Sequence, residues 1–135
     1  MIFYADDDLD DLDFFTEAAS MLGRKVKTFT LGDDLIDQLK NPPPKAAIIF
    51  LDINMPKKSG LQILKEIRSA ELWNKLPIVM LSTAKEQAMI ESSKGSGANL
   101  FITKSANFEK FTQNLKRALD TNFSSHPNPQ QFYFA

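Results

Sequence analysis

The stretch that decides the fold is residues 46–60, which read AAIIFLDINMPKKSG. Six apolar residues in succession lead directly into Asp52, and the loop that follows contains proline at position 56 and glycine at position 60. A short, continuous apolar run of this kind is typical of a strand that is buried on both faces of a parallel sheet. A carboxylate at the end of such a strand needs a partner, because burying an unpaired charge is costly. We therefore expect Asp52 to be part of a polar site.

Four further strand candidates surround this stretch: Ile2–Ala5, Val26–Phe29, Ile78–Ser82 and Leu100–Thr103. The first and fourth strands along the chain are also nearly continuous apolar runs, whereas the second and fifth are mixed and are expected at or near the edges of the sheet. Apolar residues at helical spacing separate and follow the strands, around residues 12–22, 35–39, 61–67, 84–93 and 108–119, and a proline run at 42–44 ends the second helix. This alternation, five times strand then helix, predicts an α/β fold with a doubly wound parallel sheet.

The composition fits one ordinary globular domain. The chain has 135 residues, of which 43% are hydrophobic and 24% are charged. Its net charge of -1 provides no basic field to hold nucleic acid or an anionic membrane, and the lack of cysteine excludes disulfides and a thiol nucleophile. The first residues do not have the pattern of a signal peptide, and no apolar run is long enough to span a membrane. We expect a cytoplasmic protein.

Polar residues follow four of the predicted strands: Asp6 and Asp7 after the first, Asp52 after the third, Thr83 after the fourth and Lys104 after the fifth. In doubly wound sheets, ligands bind outside the carboxyl ends of the strands. Converging carboxylates repel each other unless a cation lies among them, and oxygen ligands suit Mg²⁺. A carboxylate can act as a nucleophile towards phosphorus, and an aspartate with the ordinary pKa is ionised at neutral pH without a general base. The hydroxyl and the ammonium can neutralise phosphoryl oxygens.

The order of these motifs over about residues 1–120 resembles the receiver domain of bacterial two-component response regulators of the chemotaxis-regulator type. The resemblance rests on Asp6-Asp7, on Asp52 followed by Met-Pro and Gly60, on Thr83-Ala84, and on Lys104. It implies a flavodoxin-like (βα)5 fold with a five-stranded parallel sheet in the order 2-1-3-4-5. It also implies a receiver domain over residues 1–121 and a C-terminal tail over residues 122–135.

The resemblance implies a role for each site residue. Asp52 would be the phosphoacceptor, and Asp52 and Asp7 would bind Mg²⁺ directly. Asp6 would act through water, and Asn54 would contribute its backbone carbonyl. In the same way Thr83 and Lys104 would contact the phosphoryl oxygens. Thr83 would move inward after phosphorylation, and Phe101 would be the switch aromatic of the fifth strand.

The resemblance also implies partners. A histidine kinase or a histidine phosphotransfer protein would donate the phosphoryl group, a downstream protein would read the switched surface, and a dimer could form. The domain would catalyse only its own phosphorylation and dephosphorylation. Too few residues follow the fifth helix for a helix-turn-helix, so we expect no DNA binding, and we expect no membrane partner.

Two local features bear on the chemistry. Lys104 is followed by Ser105, where receivers usually have proline after a cis bond. Either a strained cis bond is kept or the bond is trans and Lys104 is placed differently, since a cis bond before a residue other than proline costs about 2.5–4 kcal/mol. The resemblance also implies that Asn54 and Lys85, two residues after Asp52 and Thr83, tune the lifetime of the aspartyl phosphate. Lys85 is expected to hinder or misorient an attacking water and so alter that lifetime.

Two other functions remain open at this point. A degenerate receiver would bind a partner without phosphorylation, and only Ser105 favours that interpretation. A Mg²⁺-dependent phosphatase with an aspartate nucleophile would need a general acid two residues after Asp52, where the chain has Asn54, an amide.

The end of the chain is rich in serine, proline, asparagine and glutamine, and it becomes aromatic at Phe132, Tyr133 and Phe134. We interpret it as a tail and not as a sixth element of the fold. Three states are possible for it: it is disordered, it folds back on an apolar patch of the domain, or it docks on a neighbouring molecule.

Overall fold

The computed structural model describes residues 1–40, 48–71, 73–83, 86–123 and 131–134. The proline run at 42–44, the predicted beginning of the third strand at 46–47, Ala84 and Lys85 lie outside the described residues. Among the described residues, no helix is long and apolar enough to cross a membrane.

Strands and helices alternate along the chain as predicted. The strands are β1 (Ile2–Ala5), β2 (Val26–Phe29), β3 (Ile48–Asp52), β4 (Ile78–Ser82), β5 (Leu100–Thr103) and β6 (Tyr133–Phe134). The helices are α1 (Leu9–Met21), α2 (Gly32–Lys40), α3 (Gly60–Ser69), α4 (Gln87–Gly95) and α5 (Phe108–Asp120).

The sheet is parallel throughout, in the order β2-β1-β3-β4-β5-β6. The predicted order of the first five strands is therefore confirmed, with β2 at an edge and β5 next to the other. The register places Ala5 opposite Leu51. The residues that follow this pair, Asp6 and Asp52, therefore leave the sheet side by side.

The core consists of two layers, one on each face of the sheet. Tyr4 and Phe50 face α1 and α5, where they pack with Phe15 and Phe111. The alternate residues of the same strands pack against α2, α3 and α4. The central strands β1, β3 and β4 are buried along their whole length, as their continuous apolar sequences predict for strands covered on both faces.

Local signals fix several helix ends. Ser59 caps α3 and forms a capping box in which its side chain and that of Gln62 each accept a backbone N–H. Asp8 caps α1 and Asn107 caps α5 through their side chains. Gly23, with a φ of 73°, follows α1 in the left-handed conformation that glycine adopts without strain.

The tail differs from the prediction. Its residues Tyr133 and Phe134 form β6, which pairs in parallel with Phe101 and Ile102 of β5. The expectation that the tail adds no sixth element is therefore wrong, and the structure shows the fold-back alternative. The physical reason is that β5 would otherwise leave unpaired backbone groups beside apolar surface, and the aromatic end of the chain covers both.

Candidate functional site

Three carboxylates meet at the carboxyl edge of the sheet. One oxygen from each of Asp6, Asp7 and Asp52 lies within 4.8 Å of the others, an arrangement that could hold a metal ion. Asp6 is fully buried and Asp52 is only 4% exposed, whereas Asp7 is exposed to solvent. The predicted convergence of the first and third strand ends is therefore present, and the group is open to solvent on the Asp7 side.

Lys104 completes the group from the end of β5. Its Nζ lies 2.7 Å from Oδ2 of Asp6, 2.8 Å from Oδ2 of Asp11 and 3.0 Å from Oδ1 of Asp52. No peptide bond among the described residues is cis, so the bond between Lys104 and Ser105 is trans. Of the two alternatives that the sequence left open, the trans bond is the one present. With this trans bond, the ammonium of Lys104 still contacts the carboxylates.

Asp6 is held by three donors of the protein. The hydroxyl of Tyr4 and the Lys104 ammonium both donate to Oδ2, and the backbone N–H of Asp8 donates to Oδ1 at 3.0 Å. Burial and the Asp6 carboxylate raise the pKa of Tyr4, so its hydroxyl keeps the proton that it donates. This satisfies a carboxylate that has no access to solvent.

Electrostatics in the group are set by burial and by the lysine. Burial raises the pKa of Asp52 to about 7, against the opposing attraction of Lys104. Without a bound cation the carboxyl is thus only partly ionised at neutral pH, whereas the sequence predicted full ionisation from the ordinary pKa of an aspartate. Burial lowers the pKa of Lys104, but hydrogen bonds to Asp11 and Asp6 and the charge of Asp52 outweigh it and raise the pKa above its usual range.

The loop after β3 is closed by its own backbone. Gly60 N–H donates to the carbonyl of Ile53 at 2.9 Å, and a Cβ at Gly60 would lie 2.3 Å from the carbonyl oxygen of Asp52. Only glycine fits this close approach. Asn54 lies within the loop, two residues beyond Asp52, with an exposed side chain.

The two predicted switch residues occupy different environments. Thr83 is exposed at the end of β4 and lines a cavity of about 310 Å³ together with Lys104, Tyr4 and Asp11. Phe101 is fully buried in β5, and its ring centroid lies 5.8 Å from that of Tyr133. The structure therefore places Thr83 beside the carboxylate group and Phe101 beneath the C-terminal strand.

Sequence reasoning missed two residues of the site, Tyr4 and Asp11. Tyr4 had a usable signal, because a residue two positions before Asp6 on a strand lies on the same side of it. Asp11 follows the cap of α1 by three residues, and a carboxylate there is also explained by the helix dipole alone. Its contact with Lys104 is visible only once α1 and β5 are placed together.

A doubly wound parallel sheet with three carboxylates and a lysine at its carboxyl edge is the arrangement that the sequence led us to expect of a receiver domain. The chain belongs to the response regulator receiver domain family, because the family model matches residues 2–116.

Individual relatives agree with this assignment. Response regulator Rcp1 of Synechocystis is 33% identical over 66 residues, covering 49% of this chain and 45% of Rcp1. Chemotaxis protein CheV1 of Helicobacter pylori is 29% identical over 107 residues, which are 77% of this chain and 33% of CheV1. The chain thus spans less than two thirds of these curated relatives.

Among solved structures, the phosphorylated cyanobacterial phytochrome response regulator RcpA superposes with a TM-score of 0.75 at 31% identity, covering 86% of this chain and 88% of RcpA. A receiver domain from Rhodospirillum rubrum superposes with a TM-score of 0.79 at 26% identity, covering 96% of this chain and 97% of the other. These likenesses extend over nearly the whole described fold.

Proposed function

We propose that this receiver domain accepts a phosphoryl group on Asp52 from a phosphohistidine donor, with Mg²⁺ bound, and signals through a changed protein-binding surface. The observation that carries the proposal is the position of Lys104, whose Nζ lies 3.0 Å from Oδ1 of Asp52 and 2.7 Å from Asp6. A nucleophilic carboxylate, two further carboxylates and a cation in one place are the parts that phosphoryl transfer to aspartate requires.

The donor set fits Mg²⁺. Hard carboxylate oxygens from Asp7 and Asp52 would bind the ion, Asp6 would act through water, and Asn54 would add its backbone carbonyl. The arrangement of Asp6 supports its indirect role, because both its oxygens already accept hydrogen bonds from the protein. When bound, the ion supplies positive charge that lowers the pKa of Asp52 and neutralises phosphoryl oxygens.

The chain's own residues account for the transfer step. A carboxylate oxygen of Asp52 forms a bond to phosphorus while the bond from phosphorus to the donor's imidazole nitrogen breaks, and that nitrogen takes the bonding electron pair. Lys104 donates hydrogen bonds to the phosphoryl oxygens, exchanging carboxylate partners for phosphoryl ones, and the Thr83 hydroxyl donates another. The closed loop at Gly60 holds Asp52 in position for in-line attack.

Signalling follows from the same contacts. Thr83 lies at an exposed strand end, so its hydroxyl is free to move towards the phosphoryl group, and Phe101 is the switch aromatic on the neighbouring strand. The donor would be a histidine kinase or a phosphotransfer protein in the cytoplasm, and a downstream protein or a second copy of the chain would read the surface. The 31% identical RcpA was solved as a phosphorylated protein, which supports the same chemistry here.

The test is to incubate the protein with Mg²⁺ and acetyl phosphate and to measure its intact mass. We expect the gain of one phosphoryl group in the parent and in Asp13→Asn, which replaces an exposed carboxylate outside the site. We expect no gain in Asp52→Asn or in the presence of a chelator. A folded parent protein that gains no mass would favour a receiver that binds partners without phosphorylation, and a gain retained in Asp52→Asn would assign the acceptor elsewhere.

A further inference from the structure

The outer edge of β5 is filled by the end of the same chain. Tyr133 pairs with Phe101 and Phe134 with Ile102, and the N–H of Phe101 donates to the carbonyl of Phe132 at 2.9 Å. This is the geometry of strand addition, in which the backbone of an extended segment completes a sheet edge and its side chains enter pockets on either side. The segment is used here as an intramolecular ligand of the edge.

Specific pockets receive the side chains. The Phe134 ring is 5% exposed and lies under the guanidinium of Arg117, 4.0 Å from ring centroid to Cζ, on the α5 side. Tyr133 packs on the ring of Phe101, and its hydroxyl forms a hydrogen bond of 2.6 Å with Oγ1 of Thr103. These pockets are built for aromatic groups, because they combine ring faces, a cation over a ring and a hydroxyl partner.

The α4 side of the β5 edge also combines an aromatic ring with a cation. The Phe132 ring lies 5.9 Å from Nζ of Lys94, and Phe132 and Tyr133 line a surface cavity with Gln87, Ile90 and Glu91 of α4. An aromatic centre with a polar rim is typical of protein–protein interfaces.

The backbone pairing of the segment is short. Among the described residues, two pair with β5 on this side, whereas strands in globular proteins usually have about five or six residues. On its other side β5 pairs with β4 over four residues, so β5 stays in the sheet when the outer segment leaves. Short elements of this kind open locally at a small part of the cost of global unfolding.

We propose that the edge of β5 is a docking site for an extended, aromatic-rich peptide segment, that residues 131–134 occupy it in the resting protein, and that a partner protein carrying such a segment binds by displacing them. The partner's segment runs parallel to β5, with one ring on Phe101 and the next under Arg117. The docking site shares Phe101 with the proposed switch, but the proposal rests on the pairing of the segment with β5 and does not depend on phosphorylation of Asp52.

The experiment uses the ¹⁵N-labelled 135-residue chain and a synthetic peptide of residues 128–135 as the probe. The amide signals of Phe101, Ile102 and Thr103 are followed by NMR, together with hydrogen exchange at the Phe101 amide. In Phe134→Ser we expect exchange at Phe101 to rise by about tenfold or more, and added peptide to restore the protection with saturable shifts along β5. The parent protein should show the same shifts at peptide concentrations about tenfold higher than those needed for Phe134→Ser, because its own tethered segment competes at a high effective concentration.

The controls separate docking from general effects. A peptide with serine in place of its three aromatic residues should produce no shifts. Met21→Ser, which removes an exposed apolar side chain from the end of α1, should leave the β5 signals unchanged. If Phe134→Ser does not fold, Tyr133→Ala is used in its place, because Tyr133 is only half-buried.

Four results would overturn the proposal, three from NMR and one from sedimentation. The first is unchanged protection of Phe101 when the segment is weakened, and the second is an equal response to the serine peptide. The third is a parent protein whose segment is not displaced at any peptide concentration, which would show that β6 is a fixed part of the fold. Sedimentation should also show a monomer; a dimer that the peptide dissociates would mean that the segment docks on a second copy, and that the resting arrangement proposed here is wrong.

Discussion

Replacing Asp52 with asparagine should stabilise the metal-free protein at alkaline pH. The carboxyl is 4% exposed and lies beside Asp6 and Asp7, and its pKa is raised from 3.8 to about 7, with burial as the largest cause. A rise of this size corresponds to about 4 kcal/mol of unfavourable free energy for the ionised form in the folded state. Asparagine keeps the shape but carries no charge, so Asp52→Asn should gain up to about 4 kcal/mol at pH 8.

The pH dependence gives the sharper test. Because the folded pKa lies above the unfolded one, the contribution of Asp52 to stability is fully present below about pH 4 and is lost as the pH rises towards 7. The difference between Asp52→Asn and the parent should therefore be near zero at pH 4 and reach its maximum above pH 7. Urea unfolding followed by circular dichroism at pH 4, 6 and 8, with a chelator present, measures the difference directly.

Magnesium should reverse part of the effect. At ten times its dissociation constant, the ion should stabilise the parent by about 1.4 kcal/mol at pH 8 and should stabilise Asp52→Asn much less. Asp13→Asn, at an exposed position of α1, should follow the parent at every pH. A variant that is less stable than the parent at pH 8, or a difference that does not change with pH, would refute the reasoning.

Three further substitutions test other parts of the structure. Asp11→Asn removes one of the three carboxylates that hold Lys104 and reduces the negative charge at the site. Phosphorylation by acetyl phosphate, measured as intact mass over time, should therefore become several-fold faster. A slower rate would show that Asp11 assists the transfer. Gly60→Ala should lower the free energy of unfolding in urea by about 2–4 kcal/mol, because its Cβ would lie 2.3 Å from a backbone oxygen of β3. Gly95→Ala is the control and should lose no stability, because a Cβ there would have no atom within 4 Å. Arg68→Lys should lower the free energy of unfolding by about 1–3 kcal/mol in the same assay. The Arg68 guanidinium donates to three backbone carbonyls and an amide oxygen, and one ammonium cannot reach all four. Unchanged stability would show that these contacts contribute little.

The sequence predicts the parts of the fold that depend on local pattern. Continuous apolar runs identified β1, β3 and β4, and mixed runs correctly placed β2 at an edge and β5 next to one. The carboxylates and the lysine of the site could be predicted because each follows a strand, and parallel strands end at the same edge of the sheet.

The parts that the sequence does not predict depend on contacts between distant segments. Asp11 meets Lys104 across 93 positions of sequence, and nothing local distinguishes it from the other acidic residues of α1. The raised pKa of Asp52 reflects burial, which the residue type alone does not report. β6 was missed because two paired residues are too few to produce a period-2 pattern.

The two borders of the sheet are closed to other chains by different means. On one side, β2 presents the exposed charge of Lys27 at the middle of a four-residue strand, and charged edge residues oppose pairing with a foreign strand. On the other side, the apolar strand β5 is covered by β6, which among the described residues has two residues available for pairing with another strand. Self-association by sheet extension is thereby opposed at both borders, and on the β5 side the protection lasts only while the end of the chain stays in place.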